Sequence, residues 1–127
     1  MLGYCTLGTN DLKGSAEFYD PIAQILGHAR VMETERTVMW GSPGQGAMFC
    51  IIKPLDEQEA TVGNGTMFGF AADTDEQVDR IHEYALANGG SNEGPPGERS
   101  PQFYGAYFRD PAGNKLVAFH FRGEPPQ

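Results

Sequence analysis

The residues of this chain that could carry reactive chemistry are two cysteines and three histidines. Cys5 and Cys50 are too few for a disulfide framework or a zinc knuckle. A nucleophilic cysteine needs a neighbouring base and an exposed thiolate, and the sequence places no histidine for that task. His28 and His82 are predicted to lie at the surface, and His120 lies in the last predicted strand. We therefore expect two reduced, buried thiols and no Cys–His catalytic pair.

Other catalytic patterns are missing from the sequence as well. Gly41, Gly44 and Gly46 do not have the spacing of a phosphate-binding loop that opens a helix, so a nucleotide site is not expected. No Ser–His–Asp set and no carboxylate pair is recognisable. The sequence therefore predicts no cofactor.

Composition and charge exclude several classes of partner. The chain has 127 residues, of which 39% are hydrophobic, and this is enough for one ordinary soluble core. Seventeen acidic and nine basic residues give a formal charge of −8, which makes nucleic acid and anionic membranes poor partners. No apolar run reaches the roughly 18 residues of a membrane helix, and the N-terminus does not look like a signal peptide. We expect a cytoplasmic protein.

The first half of the chain predicts one strand, then one helix and then three further strands. A strand is expected over Leu2–Thr9, and a helix capped by Asn10 or Asp11 over Leu12–Leu26, with a kink or second cap at Pro21. The strands that follow are predicted at Arg30–Glu35, Thr37–Gly41 and Ala47–Lys53.

The second half repeats this order after an acidic linker over residues 55–64. A strand is expected at Thr66–Ala72, and Thr74 with Gln77 forms the pattern of a capping box before a helix. Val78, Ile81 and Ala85 have helical spacing and predict the buried face of this helix. The Pro- and Gly-rich run Gly94–Pro101 predicts a loop. Strands are expected at Phe103–Arg109 and Lys115–Phe121, joined by a hairpin turn over Asp110–Asn114.

The two halves form an internal duplication. Trp40–Pro43 matches Phe108–Pro111 at a displacement of 68 residues, and the same displacement places Phe49 on Val117. The fold class is therefore α+β, with a single domain over residues 1–127 made of two βαβββ pseudo-repeats, at about 1–54 and 65–122. Neither repeat can cover both faces of its own small sheet, so we expect the two to pack together.

The sequence resembles the glyoxalase, bleomycin-resistance and ring-cleaving dioxygenase superfamily, which has the vicinal oxygen chelate fold. The resemblance rests on Asn10–Asp20, on Gly63–Thr66 and on the run Asp110–Leu116. It implies two curled sheets around a cup, with the helices on the outer face. Its enzymes hold a divalent metal in this cup through His, Gln or Glu side chains on the first and fourth strands of each unit.

The chain departs from that ligand pattern at every matching position. Tyr4, Phe49, Met67 and Val117 stand there, and none of them is a good ligand for Mg, Mn, Ni or Zn. We therefore predict a site without a metal, lined by the inward residues of the strands. These ligand-binding candidates are Tyr4, Met39, Phe49, Met67, Tyr107 and Val117.

Strand alternation assigns the remaining side chains to faces. Cys5, Cys50, Trp40 and Phe108 are expected to face the helices. Two interpretations of Arg109 are open. It could hold an anionic group of a ligand at the rim of the cup, or it could form a surface ion pair with one of the seventeen acidic residues.

The sequence is compatible with two functions. The first is metal-free binding of a small, partly aromatic or apolar molecule in the cup. The alternative is a lyase, isomerase or dioxygenase of the same superfamily, working with a metal held otherwise or with none. A homodimer is expected in either case, because small curled sheets leave strand edges exposed and because relatives of this fold usually pair.

Overall fold

The computed structural model describes residues 1–123, which form two compact units, residues 1–64 and the part that begins at Gly65. Each unit has one helix and four strands in the order βαβββ, which confirms the α+β class and the predicted repeat. The elements of the first unit are β1 (Tyr4–Gly8), α1 (Leu12–Ile25), β2 (Ala29–Glu33), β3 (Thr37–Gly41) and β4 (Met48–Ile52). Those of the second are β5 (Phe68–Ala71), α2 (Asp75–Ala87), β6 (Ser91–Ser100), β7 (Phe103–Arg109) and β8 (Lys115–Phe121).

The two sheets have the same topology. The strand order is β1-β4-β3-β2 in the first unit and β5-β8-β7-β6 in the second. The first strand of each unit runs parallel to the last, and the remaining pairs are antiparallel. Neither helix is long and apolar enough to cross a membrane within the described residues.

Helix α1 begins where the sequence predicts. The Asp11 side chain accepts a hydrogen bond from the Gly14 backbone N–H at 3.0 Å, which satisfies one free donor of the first turn. Pro21 lies inside one continuous helix, and Asp20 does not act as a second cap. Its carboxylate instead accepts from Trp40 Nε1 at 2.9 Å and from Arg30 Nε at 2.8 Å, which ties α1 to β3 and β2.

Helix α2 also has the predicted start and the predicted buried face. Thr74 Oγ1 accepts from the Gln77 N–H at 3.1 Å, while Gln77 Oε1 accepts from the Asp73 N–H at 2.7 Å. The return bond of the capping box therefore reaches one residue before the cap. Buried side chains at helical spacing then attach the helix to the sheet, and they include Val78, Ile81 and Ala85.

The predicted loop at Gly94–Pro101 is wrong, because residues 91–100 form strand β6 along β7. The ladder is irregular between Asn92 and Gly94, between Gly94 and Gly97, and between Glu98 and Ser100. Pro95 and Pro96 fall within the second of these irregularities, on the edge strand of the sheet. Their missing N–H groups therefore cost no regular ladder bond.

The acidic segment over residues 55–64 belongs to the first unit. It contains no helix or strand, as a linker would, yet it is held to the start of the unit. The Ala60 N–H donates to Asn10 Oδ1 at 2.7 Å. A Cβ added at Gly8 would lie 3.2 Å from the Ala60 Cβ, so the segment lies close against β1.

Candidate functional site

Each sheet has one face that packs against the helix of its own unit. In the first unit this face carries Trp40 and Phe49, whose rings lie 5.8 and 4.7 Å from the ring of Tyr19 on α1. Met39 and Cys50 are paired across β3 and β4 and point to the opposite side, because neighbouring residues of a strand alternate. We call this opposite side the helix-free face.

The expectation that Phe49 lines a ligand site is therefore corrected, since its ring packs against α1. The cause is the hairpin that joins the last two strands of each unit. Trp40 pairs with Phe49, whereas its repeat equivalent Phe108 pairs with Leu116, so the first hairpin is one residue longer. The counterpart of Val117 is thus Cys50, because a slip of one residue reverses the face of every side chain that follows.

The two cysteines lie on opposite faces of the first sheet. Cys5 is aligned with Phe49 and faces α1, as predicted, whereas Cys50 is aligned with Thr6 on the helix-free face, which is a correction. Both are free thiols in the structure. Cys50 is only 1% exposed, and this burial raises the pKa of its thiol.

Three methionines lie on the helix-free face of the first sheet. Met39 is 8% exposed and lies opposite Met32 of β2. The Met48 side chain crosses Gly41, where an added Cβ would meet its Cγ at 2.6 Å. Tyr4 is an accessible member of the face and is 59% exposed. Sequence reasoning missed Met32 and Met48, although their two-residue alternation with neighbours on each strand could have indicated them.

In the second unit, α2 covers the face of Tyr104, Phe108 and His120. Tyr104 Oη donates to Asp79 Oδ1 of α2 at 2.6 Å. His120 Nδ1 lies 2.9 Å from Asp75 Oδ1, also on α2. Tyr107 therefore belongs to the helix-free face, paired with Val117 on β8, as the sequence predicts.

The helix-free face of the second sheet extends beyond the predicted residues. Val117 is 4% exposed, and Met67, one residue before β5, is 43% exposed. By alternation along β7 and β8 the same face also carries residues that sequence reasoning missed. These are Phe103, Gly105, Lys115 and Phe119.

Arg109 forms an ion pair with Glu93, which is one of the two roles that the sequence predicts for it. Its Nε donates to Glu93 Oε1 at 2.6 Å, and its Nη1 donates to the Gly113 carbonyl at 2.8 Å. Arg109 and nearby Lys115 both hold the pKa of the Glu93 carboxyl below its usual value, with the Arg109 hydrogen bond as the main cause. The guanidinium of Arg109 is thus engaged within its own sheet.

The histidines are all held by hydrogen bonds rather than clustered. His82 is 6% exposed, and its Nε2 lies 3.1 Å from Asn92 Oδ1, so the expectation of a solvated side chain is wrong. His28 Nδ1 lies 2.8 Å from Ser42 Oγ. The reason for the burial of His82 is that β6, predicted as a loop, pairs along β7 beside α2.

The donor chemistry of this chain does not fit the metal that the superfamily resemblance implies. With the corrected register, the matching positions hold Tyr4, Cys50, Met67 and Val117, which offer a phenol, a buried thiol, a thioether and a hydrocarbon. Divalent hard ions want carboxylate or imidazole ligands. Between residues 1 and 123, no three His, Cys, Asp or Glu side chains group closely enough to hold a metal ion.

A groove of about 440 Å³ lies elsewhere, beside α1 on the helix side of the first sheet. Its lining mixes charges of both signs, including Lys13, Glu17 and Arg30. Arg30 is already paired with Asp20 and Glu33, so the positive charge in the groove is largely neutralised.

Comparison with known proteins identifies the family. Residues 1–118 match the family model of the Glyoxalase/Bleomycin resistance protein/Dioxygenase superfamily. No curated protein matches the chain significantly. A crystal structure of a glyoxalase/bleomycin resistance protein from Albidiferax ferrireducens T118 is 40% identical, with a TM-score of 0.87 over 98% of this chain and 99% of that one.

More distant structures agree in fold alone. A lactoylglutathione lyase from Agrobacterium tumefaciens is 24% identical, with a TM-score of 0.64 over 94% of this chain and 92% of that one. A glyoxalase/bleomycin resistance protein/dioxygenase family enzyme from Burkholderia phytofirmans PsJN is 20% identical, with a TM-score of 0.74 over 94% and 97%. Since the family model spans almost the whole sequence, the chain belongs to the glyoxalase/bleomycin resistance protein/dioxygenase superfamily.

Proposed function

We propose that this protein binds a small, partly aromatic or apolar molecule on the helix-free faces of its sheets, without a metal ion. The observation that carries the proposal is the pair of cross-strand contacts at the centres of these faces. Met39 lies opposite Cys50 in the first sheet, and Tyr107 lies opposite Val117 in the second. These positions offer apolar contact and no charge, which is the usual character of a small-molecule site.

The surroundings of these pairs support an adaptable apolar site. Methionine side chains at Met32 and Met48 are flexible and polarisable, so they can adjust to ligands of different shape. Tyr4 and Met67 are accessible at the margins of the two faces. A bound ligand would remove their exposed apolar surface from water, and each buried Å² contributes about 25 cal/mol to the free energy of binding.

The test uses prodan, a neutral naphthalene dye whose emission shifts to the blue in apolar surroundings. The wild-type protein is expected to bind the dye saturably. Val117→Thr keeps the side-chain shape and replaces one methyl group by a hydroxyl, so it should weaken binding by roughly tenfold, the factor for ~1.4 kcal/mol. Val62→Thr is the matched control, because Val62 is 45% exposed and lies outside the strands.

Two results would contradict the proposal. One is the absence of saturable binding at millimolar dye. The other is a dye affinity that is the same in Val117→Thr, Met39→Gln and Val62→Thr, which would place the dye away from the helix-free faces of both sheets. A thermal melt of each variant shows whether the fold is retained before the titration is interpreted.

A further inference from the structure

An aromatic pair lies on the helix-free face of the second sheet. The rings of Phe103 and Phe119 are nearly parallel, with centroids 5.3 Å apart and an angle of 8°. Both side chains are half-buried, so part of their ring surface is accessible. Two glycines leave space for these rings. A Cβ added at Gly105 would lie 2.7 Å from the Phe103 ring, and a Cβ added at Gly69 would lie 3.0 Å from the Phe119 ring.

A cluster of cations lies around Tyr107, one row along the same face from Phe119. Lys115 Nζ and the Arg99 guanidinium carbon lie 5.8 and 5.5 Å from the centre of the Tyr107 ring. Within residues 1–123 neither cation has a carboxylate within 4 Å, because Glu93 is paired with Arg109. With the ion pair of Arg109 and Glu93 included, the cluster holds three cations and one carboxylate and has a formal charge of +2, in a chain whose net charge is −8.

The cations and the rings are close enough for one small ligand to reach both. Tyr107 pairs with Val117, and Gly105 pairs with Phe119 in the next row of the same face. Two residues along a strand span roughly 7 Å. Lys115 Nζ is over the Tyr107 ring, and Phe119 lies one row beyond Tyr107, so a ligand that spans one row of the face reaches from the ammonium to the Phe119 ring. Val117, which is 4% exposed, supplies an apolar floor between them.

We infer that the second unit selects a planar aromatic carboxylate, whose ring packs against Phe103 and Phe119 while its carboxylate meets Lys115. The inference rests on the proposed function and specifies the ligand class. Stacking favours a flat ring over a puckered one. A charge-assisted hydrogen bond from the ammonium favours a carboxylate over its neutral amide.

The experiment compares three probes by calorimetric titration of the full chain. These are 2-naphthoate, its neutral isostere 2-naphthamide, and the saturated 2-decalincarboxylate. The wild type should bind 2-naphthoate at least about tenfold more tightly than either of the others, in line with one charge-assisted bond or one aromatic contact. Lys115→Gln should remove the preference over the amide, and Phe119→Leu should remove the preference over the decalin acid.

Lys53→Gln is the matched control, since it removes the same charge from an exposed lysine of the first unit. It should leave all three affinities unchanged. Equal binding of 2-naphthoate and 2-naphthamide by the wild type would overturn the inference, and so would equal losses in Lys115→Gln and Lys53→Gln. If prodan binds and responds to Val117→Thr while 2-naphthoate shows no preference, the ligand class alone is wrong. If neither compound binds saturably, the proposed function fails as well.

Discussion

Met39 on β3 and Cys50 on β4 lie directly opposite each other, on the face of the first sheet that α1 does not cover. Both side chains are buried, at 8% and 1% exposure. Cys50 occupies the position at which the other repeat has Val117. The face that carries ligands in metal-using relatives is thus apolar here, with one thiol, and this relationship underlies the predictions on cysteine chemistry and metal binding.

Oxidation of the native protein is expected to form no internal disulfide. Cys5 and Cys50 lie on adjacent strands but on opposite faces, so their side chains point apart, which disulfide geometry does not allow. Mild treatment with diamide, followed by mass spectrometry of the denatured chain, should find both thiols free or capped. A mass that corresponds to an internal disulfide, obtained without unfolding, would contradict the assigned faces.

The Cys50 thiol is expected to react slowly with alkylating reagents. Burial raises its pKa, so at a given pH less of the thiol is the reactive thiolate, and the reagent also has little access. Cys5→Ser isolates Cys50 for the measurement, which follows labelling by iodoacetamide with and without denaturant. Labelling of the folded variant as fast as that of the unfolded chain would show that Cys50 is accessible.

Asp20 is expected to contribute stability that disappears in acid. Its hydrogen bonds from Arg30 hold its pKa below the usual 3.8, with Trp40 as a further donor. A lowered folded-state pKa stabilises the fold above the unfolded-state pKa, and this contribution is lost as the pH falls through the lower value. Asp20→Asn should therefore lower the urea midpoint at about pH 6, and the difference should shrink towards about pH 3. Asp73→Asn, an exposed carboxylate of the second unit, is the control.

The Asp110 side chain is expected to hold the last hairpin together. Its Oδ1 accepts from the Ala112 and Asn114 backbone N–H groups at 2.9 Å, and the residue is 4% exposed. Asp110→Ala leaves these donors without their partner and should lower the free energy of unfolding by about 2–3 kcal/mol. Chemical denaturation measures the change, with the exposed Asp73→Ala as reference. A loss no larger than that of the reference would contradict the role of Asp110.

The protein is expected to copurify with no stoichiometric metal. The donor set at Tyr4, Cys50, Met67 and Val117 gives a divalent ion little coordination in return for its desolvation. Elemental analysis of protein purified without chelator, with thermal shifts against Ni, Zn, Mn, Fe and Mg, makes the measurement. A metal bound at one ion per chain, with a matching rise in melting temperature, would restore the enzyme alternative.

The protein is expected to form a homodimer in solution. Strand β2 is the edge of the first sheet and is exposed throughout, with Val31 and Met32 at 41% and 42% exposure. Apolar side chains on an edge strand are commonly buried by a second copy. Light scattering at micromolar concentration should give about twice the chain mass of 13.8 kDa. A mass equal to that of one chain would overturn this expectation.

The sequence by itself determined helix α2 and the turn before β8, because the interactions that form them lie within a few residues of one another. The capping pair Thr74 and Gln77 and the spacing of Val78, Ile81 and Ala85 predicted α2, because caps and helical periodicity act within a few residues. The Asp110–Asn114 turn was predicted for the same reason, since its bonds close within five residues: the Asp110 N–H donates to the Asn114 carbonyl at 2.9 Å. The βαβββ repeat followed from the order of these elements.

The pairing of strands could be decided only by the tertiary structure. Strand β6 forms because β7 offers it an edge, and this overrides the loop tendency of Pro95 and Pro96. The length of the hairpin after β3 decides on which face of the sheet Phe49 lies. Alignment of the two repeats by sequence gave this hairpin one residue too few, because Trp40 pairs with Phe49 whereas Phe108 pairs with Leu116. The alignment of Lys115, Tyr107 and Phe119 on one face likewise arises from contacts between strands. Side chains alternate between the two faces of a strand. A register error of one residue, which a sequence pattern does not reveal, therefore moves every core residue of the strand to the ligand face and every ligand-face residue to the core.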